Sequence, residues 1–238
     1  MKNIVYWLKN FFFPSKCLLC QRPLTNSNLV CHECYKSLQE EIKVKIKQCQ
    51  KCGKPLSLLS NSSICIDCQH RSFPYKKIKT LGLYKDKLKD LIHFYKFRNR
   101  WSLSYIFYQL LQIHSSKLFF DVDYIIPIPL SSQRLSKRGY NQARLIAEQI
   151  KKIIQKPIAH NLLIRKKDTP HQSLLTKAER EKNLTDAFDV KYDAKYRHKR
   201  FLLVDDVITT GTTITEAAKT LKNLKPQTIV IFAIAKAI

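Results

Sequence analysis

All eight cysteines of the chain lie within its first 68 residues, and every one belongs to a Cys-x-x-Cys pair. Two thiolates three positions apart on a tight turn can both reach one tetrahedral metal ion, so each pair supplies half of a zinc site. Four pairs therefore predict two Zn²⁺ ions, both structural because protein ligands fill every position. The predicted ligands are Cys17, Cys20, Cys31, Cys34, Cys49, Cys52, Cys65 and Cys68.

The spacing of the pairs leaves their combination open. It favours two successive ribbon-like sites, over 17–34 and 49–68, but does not exclude an interleaved combination in which the first pair joins the third and the second pair the fourth. Gly53 directly follows Cys52, where a tight knuckle requires a residue that tolerates positive φ.

A framework of four disulfides is the alternative to zinc and requires an oxidising compartment. The start of the chain has neither a secretory apolar region nor a cleavage site, which favours zinc.

The chain is strongly basic, with 43 Lys and Arg against 18 Asp and Glu, a formal charge of +25. Eight thiolates and two Zn²⁺ together add four negative charges, which leaves an excess of about +21. Such an excess indicates an acidic partner. With only four glycines in the chain there is neither a GxGxxG fingerprint nor a GxxxxGK[ST] loop, so both common nucleotide-binding motifs are excluded.

The basic residues are densest over 71–120, which carries 11 basic and 2 acidic residues. Aromatic residues alternate with cations in its second half, a composition typical of surfaces that bind single-stranded nucleic acid. The predicted DNA contacts are Lys96, Arg98, Arg100 and Trp101. The alternative is that most of these aromatic rings face the core.

The segment Arg200–Thr213 reads RFLLVDDVITTGTT and is the most informative in the chain. Four apolar residues, Phe201–Val204, predict a strand buried on both faces. Asp205 and Asp206 follow it, at the carboxyl end where open α/β sheets bind ligands. The following loop offers hydroxyls, consecutive amides and a helix N-terminus near Ile214, which together suit an anion. A sugar 5-phosphate fits this combination, its hydroxyls on the acids and its phosphate on the loop.

Apolar periodicity predicts strands that alternate with helices, and hence an α/β fold with a parallel sheet. The predicted strands are Thr80–Tyr84, Tyr124–Pro127, Phe201–Val204 and Thr228–Ala233, and the predicted helices are Leu88–Phe97, Ser104–His114, Asn141–Ile154 and Thr215–Leu224. A short amphipathic helix is expected before Pro14, either packed on the next module or anchored at a membrane surface. The predicted domains are residues 1–70 and 71–238. No run of 18 apolar residues occurs, so no transmembrane helix is predicted.

The VDDVITTGTT segment resembles the 5-phosphoribosyl 1-pyrophosphate (PRPP) motif of type I phosphoribosyltransferases. The resemblance implies that Asp205 and Asp206 hold the ribose hydroxyls as catalytic and binding residues, and that Mg²⁺ accompanies PRPP. It implies that the 5-phosphate lies on Thr209, Thr210, Gly211, Thr212 and Thr213. The implied fold is a type I phosphoribosyltransferase-like parallel sheet flanked by helices, behind a small zinc-binding module.

The remaining motifs narrow the resemblance to the ComF family (ComFC/GntX-like proteins). The Cys-x-x-Cys pairs are followed, in order, by IHFYKFR, IPIPL, KRGYNQA and RKKDTPHQSL…EREKNL. Membership implies a role in natural competence, the cytoplasmic handling of single-stranded DNA as it crosses the inner membrane. The implied partners are a helicase-like competence ATPase and the membrane DNA channel, and contact with the inner face of the membrane is left open.

Transferase chemistry also requires cations and Mg²⁺ on the departing pyrophosphate. The candidates are Lys96, the Pro127–Leu130 loop, Arg138, Arg165–Lys167 and Arg180. Residues 165–183 suit either a mobile flap or a solvated connector. No segment of the sequence indicates an acceptor base, so PRPP binding is better supported than turnover. A nucleotide-salvage phosphoribosyltransferase and a PRPP-sensing regulator are the alternative functions.

Overall fold

The structure is a computed structural model that describes residues 15–24, 28–43, 46–97, 100–118, 121–166 and 187–238. Three predictions lie outside these residues: the helix before Pro14, the DNA contact Arg98, and most of the 165–183 flap. None of the described helices is long and apolar enough to cross a membrane.

After the cysteine-rich region, helices connect the successive strands of the main sheet, as predicted. The helices are α1 His32–Lys43, α2 Ile66–Gln69, α3 Asp86–Phe97, α4 Ser104–Leu118, α5 Ser132–Arg138, α6 Gln142–Ile154 and α7 Thr212–Leu221. The strands are β1 Lys77–Leu83, β2 Tyr124–Pro127, β3 Leu163–Arg165, β4 Phe188–Val190, β5 Arg200–Ile208 and β6 Thr228–Lys236. Short 3₁₀ turns cover Trp101–Leu103, Ala194–Tyr196 and Lys222–Leu224.

Four of the strands form one parallel sheet in the order β1-β6-β5-β2, which confirms the predicted α/β class. Strand β5 is an inner strand of the sheet, and its apolar side chains point alternately to the two faces, both of which are covered by helices. Leu202 and Val204 pack into one core with α3, α4 and α6, whereas Phe201 and Leu203 pack into a second core with α7. The strands β3 and β4 form a separate antiparallel pair.

Strand β5 is longer than predicted, since it runs through both acids to Ile208. The neighbouring strand continues alongside it, pairing Asp205 with Ala233 and Ile208 with Lys236. The following helix also begins earlier than predicted, at Thr212, because Gly211 adopts a left-handed conformation (φ 85°) and serves as its N-cap. The acids are therefore held by the sheet itself, one short turn before α7.

The cysteine-rich region packs on the β1 edge of this sheet. Buried residues of its first half, Cys34, Leu38 and Ile42, belong to the same core as α3 and α4. The second half bonds directly to β1, because Ile78 N donates to the Gln50 carbonyl (2.7 Å). The region thus shares its interior with the α/β domain.

Candidate functional site

The eight cysteines form two tetrads. The four Sγ atoms of each tetrad lie within 4.8 Å of one another. The Sγ–Sγ distance is 3.7 Å both between Cys20 and Cys31 and between Cys52 and Cys65. A tetrahedron of sulfurs about 2.3 Å from zinc has edges of about 3.8 Å, so each tetrad fits a Zn²⁺ ion. The tetrads are Cys17, Cys20, Cys31, Cys34 and Cys49, Cys52, Cys65, Cys68, which is the successive combination.

Backbone N–H groups donate to sulfurs of both tetrads, among them Cys17 Sγ and Cys49 Sγ. Cys31 N lies 3.3 Å from Cys17 Sγ, and Cys49 Sγ accepts from the backbone N of Cys65 (3.2 Å) and of Lys51 (3.4 Å). Burial acts to raise the pKa of Cys17 and Cys49, but the hydrogen bonds from neighbouring backbone and cysteine groups together outweigh it and lower both pKa values to about 7. Both thiols are therefore predisposed to the thiolate form that binds metal.

The two tetrads are built on the same knuckle. Gln21 N donates to the Cys17 carbonyl and Gly53 N to the Cys49 carbonyl, both at 2.8 Å. Both donors have positive φ, 63° for Gln21 and 76° for Gly53, which confirms the conformation predicted after Cys52. Gly53 has a further reason to lack a side chain, since an added Cβ would lie 3.2 Å from Lys236 Cδ.

The two acids of β5 lie beside a lysine from α3. Lys96 Nζ is 3.2 Å from Asp206 Oδ1, and the two side chains are 15% and 11% exposed. Asp206 N donates to Asp205 Oδ1 at 2.8 Å. The Lys96 ammonium is thus largely shielded from solvent beside Asp206, and its contact with DNA stays a prediction. Lys96 is also a candidate cation for the pyrophosphate of the sugar-phosphate site, and its position beside Asp206 agrees with that prediction.

The pKa of Asp205 lies well above that of an ordinary aspartate. Burial raises its pKa to about 7, and the neighbouring charge of Asp206 acts in the same direction. The cations Lys96 and Arg138 oppose the increase without cancelling it. A carboxyl group in this state can bind or release a proton near neutral pH.

Helix α5 places two arginines near these acids. Arg138 Nη1 donates to Gln142 Oε1 at 3.1 Å. Burial and the neighbouring charge of Arg138 lower the pKa of Arg134, while the charges of Asp205 and Asp206 act in the opposite direction, so Arg134 lies within electrostatic range of the acids. The sequence analysis missed Arg134, although its spacing of four from Arg138 places both on one face of a helix.

The Pro127–Leu130 loop lies next to the acids. Ile128 N donates to the Val204 carbonyl (2.9 Å), directly before Asp205. Asn141 Nδ2 donates to the Ile128 carbonyl (2.9 Å) and ties the loop to the start of α6. The other predicted cations are engaged elsewhere: Lys166 Nζ pairs with Asp189 (2.9 Å) and Arg165 lies over the Phe188 ring. Lys167 and Arg180 lie outside the described residues.

The threonine loop follows the acids and ends on the N-terminus of α7. Thr209 and Thr210 are exposed, and the Thr210 and Thr212 hydroxyl oxygens are 2.9 Å apart. The N-cap residue Gly211 has no side chain to cap α7, and Thr210 Oγ1 accepts a long hydrogen bond from Thr212 N (3.4 Å). The first amides of a helix lack internal partners and carry its positive dipole end, so Thr212 and Thr213 lie where an anion is favoured.

Lys236 holds this loop from behind. Its Nζ donates to the Thr209 carbonyl at 2.6 Å and also to the Ala237 carbonyl. The side chain is 5% exposed, and its stem lies against Gly53 of the second tetrad. Burial lowers the pKa of this ammonium. The sequence analysis missed Lys236 because it ends an apolar strand and matches no motif.

The basic, aromatic stretch predicted to contact DNA is divided by the fold. Tyr95 is fully buried, whereas Trp101 is 63% exposed and Arg100 is exposed beside it. Core packing therefore accounts for part of the aromatic pattern, in line with the alternative that these rings face the core. Arg100 and Trp101 remain at the surface.

Comparison with known proteins covers both parts of the chain. The double zinc ribbon domain family matches residues 8–69, and the phosphoribosyl transferase domain family matches residues 137–237. The chain is 31% identical to Competence protein F of Haemophilus influenzae, over 95% of this chain and 99% of that protein. It is 30% identical to Competence protein ComFC of Bacillus subtilis, over 81% and 77%. It is 27% identical to DNA utilization protein YhgH of Shigella flexneri, over 94% and 97%.

Proposed function

Because the chain belongs to the competence protein F (ComFC) family, we propose that it acts in natural competence as a factor that binds PRPP and single-stranded DNA. The PRPP site is the carboxyl end of β5 together with the N-terminus of α7. One observation carries this assignment: two sheet-held carboxylates, Asp205 and Asp206, directly precede a threonine loop that leads into the N-terminus of a helix.

Each part of the ligand has a chemically matched partner at this site. Vicinal ribose hydroxyls donate hydrogen bonds, which the carboxylates of Asp205 and Asp206 accept. The 5-phosphate lies on the amides and hydroxyls of Thr209–Thr213, favoured by the helix dipole. Arg134 and Arg138 supply positive charge toward the pyrophosphate.

The same residues suit Mg²⁺, which prefers oxygen ligands from carboxylates and phosphates. Asp205 and Asp206 are the residues that would bind it, directly or through water. Bound Mg²⁺ would neutralise charge on the pyrophosphate. Lys96 limits the negative charge of the acid pair and so keeps the site compatible with an anionic ligand.

Calorimetry with PRPP in the presence of Mg²⁺ tests this site. We expect the wild-type chain to bind and the double variant Asp205→Asn, Asp206→Asn to show no measurable heat. The matched control is Asp189→Asn, which removes a carboxylate paired with Lys166 in the β3–β4 hairpin and should leave the affinity unchanged. Wild-type affinity in the double variant would show that ribose is not held by these acids.

The pH dependence provides a second test. Because the pKa of Asp205 is raised to about 7 and the ionised form accepts hydroxyl protons and binds Mg²⁺, affinity should increase from pH 6 to pH 8. An affinity independent of pH over this range would contradict a direct role for Asp205. Release of pyrophosphate when nucleobases are added would extend the assignment to a working transferase.

Single-stranded DNA is the second ligand of the proposal. It is supported by the basic excess of the whole chain and by the exposed pair Arg100 and Trp101. Affinity for an oligothymidylate should fall steeply with salt, with a slope of about −0.7 per neutralised phosphate. An absence of binding at low salt would refute this part of the proposal and leave the PRPP site intact.

A further inference from the structure

We propose that single-stranded DNA lies along the outward face of α4 and continues onto the lysines at the carboxyl end of α6. This inference rests on the proposed function, which supplies the ligand, and adds the surface that binds it. We call this surface the stacking face; it consists of Arg100, Trp101, Tyr105, Tyr108, Gln112 and Lys152.

The aromatic members of the stacking face follow helical spacing. Trp101, Tyr105, Tyr108 and Gln112 are separated by four, three and four positions, which places them on one side of the helix. Tyr105 is 58% exposed, and its ring is stacked on that of Tyr108 at 5.9 Å between centroids and 28° between planes. Gln112 Nε2 donates to the Tyr108 hydroxyl at 2.8 Å and orients that ring.

This arrangement matches the spacing of bases in an extended strand. The rise of 1.5 Å per residue separates Tyr105 and Gln112 by about 10 Å along the axis, room for two or three bases. Every base has a flat face that can stack on an aromatic ring, so such a surface binds without strong sequence preference. Duplex DNA keeps those faces stacked inside the helix and would not use the rings.

The charges around the rings suit a phosphate backbone. Lys152 of α6 extends over the Tyr108 ring, with Nζ 5.6 Å from its centroid. Beyond it, Lys151, Lys152 and Lys156 line an open groove of about 830 Å³. The one acid that lines this groove among the described residues, Glu148, is paired with His160 at 3.4 Å. The sequence of α4 contains no acidic residue. Exposed aromatic rings on a helix without acids, next to a groove with three lysines and one acid, favour a polyanion with exposed bases over an apolar protein segment.

Trp101 provides a direct optical test. The chain has one other tryptophan, Trp7, so the Trp7→Phe variant reports on Trp101 alone. We expect an oligothymidylate to quench this fluorescence. An abasic oligonucleotide of the same length and charge should bind through its phosphates and leave the fluorescence nearly unchanged. Equal quenching by both ligands would show that no base stacks on Trp101.

Two variants test the rest of the stacking face in fluorescence anisotropy titrations. Tyr105→Ala should lower the affinity for oligothymidylate about tenfold and leave the affinity for the abasic strand unchanged. Lys152→Gln should reduce the salt slope by about 0.7 for both ligands. The control is Tyr192→Ala, which removes a ring that is 61% exposed and follows β4. Because Tyr105 is exposed, its removal should leave the circular dichroism spectrum and zinc content unchanged.

The outcomes separate this inference from the proposed function. Tight oligothymidylate binding that neither Tyr105→Ala nor Lys152→Gln alters would overturn the stacking face and leave DNA binding in place. No binding by the wild-type chain would overturn both. A change of oligomeric state in Tyr105→Ala, with DNA affinity unaltered, would assign the face to contact between two copies of the chain and likewise overturn the inference.

Discussion

Replacing Lys96 by methionine should destabilise the α/β domain by about 3 kcal/mol. At 3.2 Å from Asp206 Oδ1, the attraction between the two charges is about 5 kcal/mol for an effective dielectric constant of 20. Removing one partner of a buried pair costs roughly 3–5 kcal/mol, because the remaining charge is left without compensation. The pair retains slight exposure, so the lower part of that range applies.

A double-mutant cycle measures this interaction. Asp206→Asn removes the uncompensated charge, so the double variant Lys96→Met, Asp206→Asn should recover most of the loss, with a coupling energy of about 2 kcal/mol. The control is Lys89→Met, on the exposed side of the same helix, which should change the free energy of unfolding by less than about 0.5 kcal/mol. Urea unfolding at pH 8 with saturating zinc, followed by circular dichroism, is the assay. A loss in Lys96→Met no larger than in Lys89→Met, or a coupling energy near zero, would refute the buried pair.

Three further predictions concern the acid pair, the metal and the loop anchor. The pKa of Asp205 is raised from 3.8 to about 7 in the folded chain, so the free energy of unfolding should fall as pH rises from about 4 to 7. Asp205→Asn should therefore stabilise the chain at pH 8 by about 2–4 kcal/mol. Thermal unfolding at pH 5 and 8 checks this, and equal melting temperatures for variant and wild type at pH 8 would contradict it. Metal analysis of the reduced protein should find two zinc ions, and Cys49→Ser should lose one of them; retention of both would place Cys49 outside the metal site. Lys236→Met keeps an apolar side chain against Gly53 but removes the donor to the Thr209 carbonyl. The affinity for PRPP should therefore fall by roughly tenfold, with zinc content unchanged. Unaltered affinity would show that the threonine loop holds its shape without this hydrogen bond.

Local chemistry and local periodicity could be read directly from the sequence. The Cys-x-x-Cys spacing identified the cysteine ligands, because two thiols on one turn reach the same ion whatever surrounds them. The alternation of apolar strands and amphipathic helices identified the parallel sheet, since each element must bury one face. The acids and threonines of Asp205–Thr213 are contiguous in sequence, so their common position at the end of a buried strand followed without knowledge of the rest of the fold.

The tertiary structure alone decided how distant segments meet. It combined the cysteine pairs successively, it brought Lys96 from α3 against Asp206, and it placed Lys236 between the second tetrad and Thr209. Spacing favoured the successive cysteine combination without excluding the interleaved one. No spacing rule predicts the two lysine contacts, because each joins elements whose separation is set by packing and strand order. Tertiary structure also explains why β5 and α7 differ from their predicted bounds. Pairing with β6 extends the strand through the acids, and the left-handed conformation of Gly211 lets the helix begin at Thr212. An ion pair or an anchoring hydrogen bond depends on distances of a few ångströms, and only the folded sheet and the helices packed on it determine such distances.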